Sequence, residues 1–429
     1  MSSIAIVGTG IAGLGCARLL HGDHEVTLLD GNDYAGGHSN TVMVAEGDRE
    51  IPVDTGFMVY NEVTYPALTR LFSELGVETE ETPMSFGVQH LPRGIEYCGS
   101  SLNQLFAQRK NILSPRFVRL LSSISRFNRE AKDALGREGE LEGLSLHEYS
   151  RRRSYDHDLL DLYVLPMSSA VWSTRLEDVR HFPVMTLLRF FDNHGLLGGL
   201  SGHHQWRTVR GGSRMYVQRM IAGFRDRIRT RSAVQRVFRS SDRATLRLED
   251  GSLEHFDHVI LACHADEALA MLDEPTPFER RVLGAFRYQR NVAQLHTDAR
   301  VMPKSRRAWA AWNYRIDQDP AGQLRSTTIY WMNELQRVSN RRNYFVSIDD
   351  PGIIDPGTVL REIVYFHPIM SMEAVDAQRE LPALNRAAQD LRSSFCGSYF
   401  GYGFHEDAFV SSFEASALAS GRSAEGEAA

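Results

Sequence analysis

An α/β fold built on a Rossmann-like dinucleotide-binding unit is what this sequence predicts, and three features near its start carry the prediction. An apolar run, Ile4-Ala5-Ile6-Val7, leads into the glycine-rich turn Gly8-Thr9-Gly10-Ile11-Ala12-Gly13. A second apolar run, Glu25-Val26-Thr27-Leu28-Leu29, closes on an acid, Asp30. Strand, turn, helix and second strand stand in the order a βαβ unit requires. In such a unit Gly8 permits the tight strand-to-helix turn, Gly10 lets the backbone approach a pyrophosphate, and Gly13 lets the helix pack close to the strand. The anion then rests on the helix N-terminus around Ile11 and Ala12, where unpaired N–H groups and the helix dipole favour negative charge. Asp30 stands where a carboxylate accepts hydrogen bonds from a ribose 2′-hydroxyl and repels a phosphate, so FAD or NAD is favoured over NADP.

The rest of the composition narrows the class. At 429 residues the chain is long enough for two lobes, and 42% hydrophobic with 24% charged residues describes an ordinary globular protein. A net charge of −6 gives no reason to expect a nucleic-acid partner. No stretch reaches the apolar length that spans a bilayer, and no basic leader precedes the first strand, so cytoplasmic residence is the expectation. Cys16, Cys98, Cys263 and Cys396 are dispersed without a CxxC pair, which argues against a disulfide framework or a metal site. Residues 419–429, rich in Ala, Ser, Gly and Glu, are expected to form a disordered tail.

The stretch after Asp30 decides between FAD and NAD, because a nicotinamide domain continues with further βα units. Here Asp33-Tyr34-Ala35-Gly36-Gly37-His38 comes next, then strand-like Ser39–Val44 and Ile51-Pro52-Val53-Asp54-Thr55-Gly56-Phe57. Downstream, Val209-Arg210-Gly211-Gly212-Ser213 precedes an apolar helical segment. Ala233–Val237 and Ala244–Leu248 alternate as strands, Glu249-Asp250-Gly251 turns, and Phe256–Cys263 returns as a buried strand. Near the end, Gly401-Tyr402-Gly403-Phe404-His405-Glu406-Asp407-Ala408 leads into a helical pattern over Val410–Leu418.

This constellation resembles the flavin-containing amine oxidase superfamily over most of the chain, with the middle third matching more loosely. It resembles most closely a bacterial group described as predicted NAD/FAD-binding proteins, which shares Gly401 to Asp407 and Trp312-Asn313-Tyr314. The resemblance implies FAD as the cofactor and an amine oxidase-like two-lobe architecture. In it Gly36 and Gly37 pass the cofactor phosphates, and His38 stands where amine oxidases usually carry arginine. Gly56 and Phe57 lie near the flavin, the backbone at Val234 meets the adenine, and Gly403 admits the flavin. The last helix, with His405, Glu406 and Ala408 at its start, aims its N-terminus at the pyrimidine ring. Glu406 and Asp407 read equally well as caps of that helix. The Rossmann-like FAD-binding domain is then discontinuous, over 1–75, 205–268 and 394–418, and 76–204 with 269–393 form an α+β substrate domain.

In that substrate domain, Ser326–Met332 and Arg361–His367 read as strands of a mixed sheet, with aromatics that either fill the core or wall an apolar channel. Phe117–Leu135 has helical apolar spacing with Arg116, Arg119, Arg126, Arg129 and Lys132 between. It reads as a packed helix with a solvated basic face, or as one that touches an anionic membrane. His203-His204 reads as a solvated turn, and Lys304 as a surface lysine that matches the flavin-side lysine of amine oxidases by position only.

A flavin carries the hard step itself, so no hydrolase-like triad is needed. His405 is the candidate base. The leading reading is an FAD-dependent oxidoreductase, an oxidase or desaturase, acting on a hydrophobic substrate such as a fatty-acyl chain of a lipid. The group it resembles is thought to act beside enzymes that methylate unsaturated acyl lipids. A flavin amine oxidase producing an imine and hydrogen peroxide is the alternative, and a non-catalytic flavin-binding redox scaffold a third.

Overall fold

Five short strands, Ser3–Val7, Glu25–Leu29, Ile228–Arg229, His258–Leu261 and Ser393–Phe395, make one parallel sheet with Ser3–Val7 at its centre. Ile4–Val7 and Val259–Leu261, at the middle of the sheet, read as unbroken apolar runs because both faces are covered. In this computed structural model, which describes residues 1–199 and 204–421, Ile4, Ile6, Leu28 and Ile260 pack on one face against the Ile11–Leu20 helix and the last helix, His405–Ala419. Ala5, Val7, Leu29 and Val259 pack on the other against an antiparallel sheet of Val234–Arg239, Ala244–Leu248 and Leu253–Phe256. One sheet thus collects strands from three distant stretches of chain.

The second lobe is built on seven strands in the order 359–368, 288–296, 345–348, 324–331, 312–318, 86–90 and 95–98. All neighbours are antiparallel except Trp312–Gln318 beside Phe86–His90. Trp312, Tyr314 and Ile316 pack beneath a helical layer that includes Pro115–Leu135, Leu165–Trp172 and Val184–Asn193.

The strands expected at Ser326–Met332 and Arg361–His367 are Leu324–Trp331 and Val359–Pro368. The basic helix starts at Pro115, two residues before its apolar pattern, because Ser114 Oγ accepts from the Phe117 N–H and Pro115 takes the first helical position. The last helix likewise begins at His405 rather than Val410 and runs to Ala419, one residue into the tail expected to be disordered. Residues 422–429 of that tail lie outside the described residues.

One buried ion pair joins the Val234–Arg239 strand to the Pro277–Leu283 helix, which packs with the first lobe although its residues were expected in the substrate domain. Arg239 Nη1 and Nη2 donate to the two Glu279 oxygens at 2.5 and 2.9 Å, with side chains 4% and 2% exposed, and Nη1 also donates to Ser393 Oγ at 2.9 Å. Burial pushes the Glu279 carboxyl up, but the guanidinium and the Thr276 N–H hold it below the usual range. Glu279→Ala strands a buried guanidinium and is expected to cost about 3 kcal/mol in urea denaturation. The paired replacement Arg239→Met with Glu279→Leu should recover most of that loss.

Candidate active site

A cavity of about 1540 Å³ runs between the two lobes. That exceeds the roughly 300–1000 Å³ of ordinary ligand pockets, so it has room for a large cofactor together with a second molecule.

Its first-lobe wall begins at the glycine turn. The Ile11–Leu20 helix has Gly10 as N-cap, with no side-chain cap and no acid in its first turn, and Gly8, Gly10, Ile11 and Ala12 all line the cavity. A Cβ on Gly8 would stand 2.4 Å from Ala262 O, and one on Gly13 would stand 2.0 Å from Gly8 O. Gly13 therefore serves helix–strand contact and does not itself reach the cavity. At Gly10 a Cβ would meet no atom within 4 Å. The turn is thus pressed tight on its protein side and open on its cavity side, with uncapped N–H groups for an anion. These residues fit a dinucleotide pyrophosphate.

Asp30 lines the same wall, 9% exposed. Its carboxylate accepts from Thr9 N (2.8 Å), Thr9 Oγ1 (2.6 Å), Asn32 N (2.9 Å) and Asn32 Nδ2 (3.0 Å). All four lone-pair directions are in use, so a ribose hydroxyl that reaches Asp30 takes the place of the Thr9 or Asn32 side-chain donor.

Gly37, His38, Gly56, Phe57, Val234, Gly403, His405 and Ala408 also line the cavity. Gly36 does not; its N–H donates to Thr9 O at 3.0 Å and shapes the approach of Gly37. Asp54 anchors the Asp-x-Gly turn from behind. It is fully buried and accepts from Ser213 N and Oγ, from Thr41 Oγ1 and from Gln336 Nε2, which fastens this turn to the Gly211-Gly212 turn.

Glu406 departs from its expected place at the cofactor. Its carboxylate turns away from the cavity and accepts from Ala67 N at 2.7 Å and Leu68 N at 2.9 Å, capping the Pro66–Glu74 helix, whose N-cap Tyr65 offers no side-chain acceptor. Two orphan N–H groups are the stronger attraction for a half-buried carboxylate. Asp407 caps the last helix by accepting from Phe404 N at 2.8 Å, and burial pushes its carboxyl up to about 6.

The His405 ring stacks on Phe57 at 3.9 Å, and its Nε2 lies 2.9 Å from Ser39 Oγ and 2.8 Å from Tyr216 OH. Burial pushes its pKa down to about 3. An imidazole held by two hydroxyls and covered by a phenyl ring positions the last helix; it is badly placed to take a proton from a substrate.

His264 and His367 line the wall without any local signal in the sequence, and Tyr365 is one of the aromatics expected to fill the core or wall a channel. His38 stacks on Tyr365 at 4.7 Å and lies 5.5 Å from His367 and 6.4 Å from His264. Burial and these neighbours hold His38 well below the usual imidazole range, and burial takes His367 to about 4. His367 Nδ1 stands 2.8 Å from Asn291 Oδ1, while Asn291 Nδ2 donates to Ser173 O and Asp349 Oδ2. The Asn291 amide is thereby oriented with its oxygen toward His367. Nδ1 must be the protonated nitrogen, and Nε2 carries the lone pair.

The second-lobe wall has an apolar stretch, Leu105, Leu121, Ile124, Met167, Val171 and Trp312, beside polar residues that include Gln104, Asn128 and Glu334. Among the described lining residues there is no lysine or arginine, and Asp30, Glu267 and Glu334 are the carboxylates. Lys304 is exposed and outside the cavity. His204 lines it, with Nε2 2.7 Å from Asn193 O; His203 lies outside the described residues.

The chain matches the flavin containing amine oxidoreductase family over residues 11–395. No curated protein matches it. Among solved structures, wild-type putrescine oxidase bound to putrescine is 14% identical, with 98% of this chain and 99% of that one covered and a TM-score of 0.69. Cyclohexylamine oxidase from Brevibacterium oxydans IH-35A is 15% identical, with 98% and 99% covered and a TM-score of 0.65. The CLA-producing fatty acid isomerase from P. acnes is 13% identical, with 96% and 97% covered and a TM-score of 0.65. At such identities the likeness is one of fold.

Proposed function

The chain belongs to the flavin-containing amine oxidoreductase family and is an FAD-dependent oxidoreductase; from that premise we propose that it oxidises or desaturates a long apolar substrate, a fatty-acyl chain. The observation that carries this reading is an apolar stretch of the second-lobe wall. Leu105, Leu121, Ile124 and Met167 offer an acyl chain a dry apolar surface, and Glu334 is the one carboxylate that lobe contributes to the described lining. A cationic amine lying along these four side chains would have its charge opposite hydrocarbon, at a desolvation cost that only Glu334, elsewhere in the described lining of that lobe, has the charge to offset.

When bound, FAD accepts two electrons from a C–H bond, so the protein's task is to place that carbon and manage the proton. Gly8, Gly10, Ile11, Ala12, Asp30, Gly37, Gly56 and Val234 would hold the cofactor, and the apolar wall orients the chain and excludes water. For the proton we assign His367 in place of His405. The Asn291 contact holds the proton on Nδ1 and leaves the Nε2 lone pair free, and His367 lines the cavity.

An amine oxidase remains the second reading. The observation in its favour is Glu334, a carboxylate in the second-lobe lining that could pair with an ammonium. Anaerobic mixing of the flavoprotein with an unsaturated acyl phospholipid dispersed in detergent, and in parallel with putrescine or cyclohexylamine, separates the two. Bleaching of the visible flavin band by the lipid alone is expected; bleaching by an amine alone overturns the acyl reading. His367→Gln should keep its flavin and bleach about 100-fold more slowly, whereas His405→Gln should lose far less.

A further inference from the structure

We propose that the segment Leu102–Arg119 docks on an anionic bilayer surface and opens the cavity to it, so that an acyl chain passes from membrane to active site without crossing water. The docking stands on its own observations, and its acyl cargo rests on the function proposed above.

The first observation is charge segregation. Between Glu96 and Glu130 the chain carries six cations, Arg109, Lys110, Arg116, Arg119, Arg126 and Arg129, and no acid, in a protein whose net charge is −6. Arg116 is drawn back onto Asp158 and Arg126 onto Glu130. Arg109, Lys110 and Arg119 form no ion pair among the described residues and are exposed.

The second observation is apolar exposure on the same segment. Leu113 is 88% exposed, Leu102 64%, Val118 53% and Ile112 51%. They do not belong to the apolar stripe of the basic helix, because Phe117, Leu120, Phe127 and Ala131 are buried in the protein. Ile112 and Leu113 end the turn just before that helix, next to Arg109 and Lys110. A turn that pairs apolar side chains with unpaired cations suits an interface where acyl chains lie beneath anionic headgroups.

The third observation ties the patch to the cavity. Leu102, largely exposed, lines the cavity, and so do Leu121, Ile124 and Ser125 from the helix that the turn introduces. Ser125 is exposed as well, so the cavity reaches the surface along this segment. Among the described residues no helix is long and apolar enough to cross a membrane. The attachment is therefore peripheral. A second copy of the chain is a poor occupant, because a two-fold contact would set these cations against themselves.

Flotation of the flavoprotein with phosphatidylglycerol–phosphatidylcholine vesicles, and with pure phosphatidylcholine vesicles, tests this. Binding to the anionic vesicles at low salt that weakens as salt rises is expected. Ile112→Asp with Leu113→Asp should weaken it about tenfold or more, with flavin content and melting temperature unchanged. The proposal is overturned if the wild type does not float, if both vesicle types are bound equally, or if the variant floats as well as the wild type. It is also overturned if the wild type is a dimer that the double substitution dissociates. Loss of flotation with bleaching by detergent-dispersed lipid intact removes the docking and leaves the proposed function. Flotation without bleaching removes the function and leaves the docking.

Discussion

Acidification from pH 7.5 to 5.5 is expected to lower the stability of the protein by about 5–10 kcal/mol, comparable to the whole stability of an ordinary domain. Among the described residues, seven histidines are held neutral by burial. His90, His194, His258, His296 and His367 are pushed down to about 4, His405 to about 3, and His38 well below the usual range. Their pKa values are depressed in the folded state, so the unfolded chain takes up protons first, from an unperturbed value of about 6.5. Stability is complete above that value and falls as pH drops below it, each group contributing about 1.4 kcal/mol per pH unit until its folded pKa is reached. Asp54, Glu406, Asp407 and Glu414, whose carboxyls burial pushes up, act in the opposite sense and return stability as they protonate. They are fewer, and Asp407, the one pushed to about 6, is half titrated only there. Urea midpoints followed by tryptophan fluorescence should drop steeply between pH 6.5 and 5.5, and a flat profile would contradict the neutral buried histidines.

Gly10→Val is expected to yield a folded but colourless protein. No protein atom lies within 4 Å of the new Cβ, so the fold has room for the side chain. The room it takes is the face on which the uncapped helix N-terminus meets the cofactor phosphates, and FAD affinity should drop at least about 1000-fold, or about 4 kcal/mol. Gly13→Val is the control with the opposite signature. Its Cβ collides with Gly8 O, so it should lose structure by circular dichroism before any question of flavin arises. Native FAD affinity in Gly10→Val would mean that the cofactor does not rest on this turn.

The sequence reveals most where chemistry is fixed by local spacing. Gly8, Gly10, Gly13 and Asp30 lie within one βαβ unit, and their order alone places a turn, a helix N-terminus and a carboxylate on one edge of a sheet. Gly37, His38, Gly56, Phe57 and Gly403 become legible through resemblance, and the cavity gathers them. Glu406 was not legible, because its destination is the N-terminus of a helix 339 residues away in sequence, and nothing beside Glu406 announces it. Tyr365 and His367 share the Val359–Pro368 strand, and they meet His38 and His264, the N-cap of the Ala265–Met271 helix, only through the packing of the two lobes. The basic helix shows the same limit. Its periodicity marks which residues are buried, but Ile112 and Leu113 sit in a turn, where no period says that they stay outside.

The parallel sheet also imposes a schedule on synthesis. Its central strand, Ser3–Val7, finds Glu25–Leu29 at once, but its other neighbour is His258–Leu261, and the sheet is not finished until Ser393–Phe395. At about 5–20 residues per second, roughly 20–70 s separate the second strand leaving the ribosome from the last. For that interval the nascent chain carries an apolar strand with one open edge, the kind of surface that recruits another chain. Ribosome-bound fragments ending before residue 258 should therefore be held by chaperones or aggregate, and release should coincide with the arrival of the final helix.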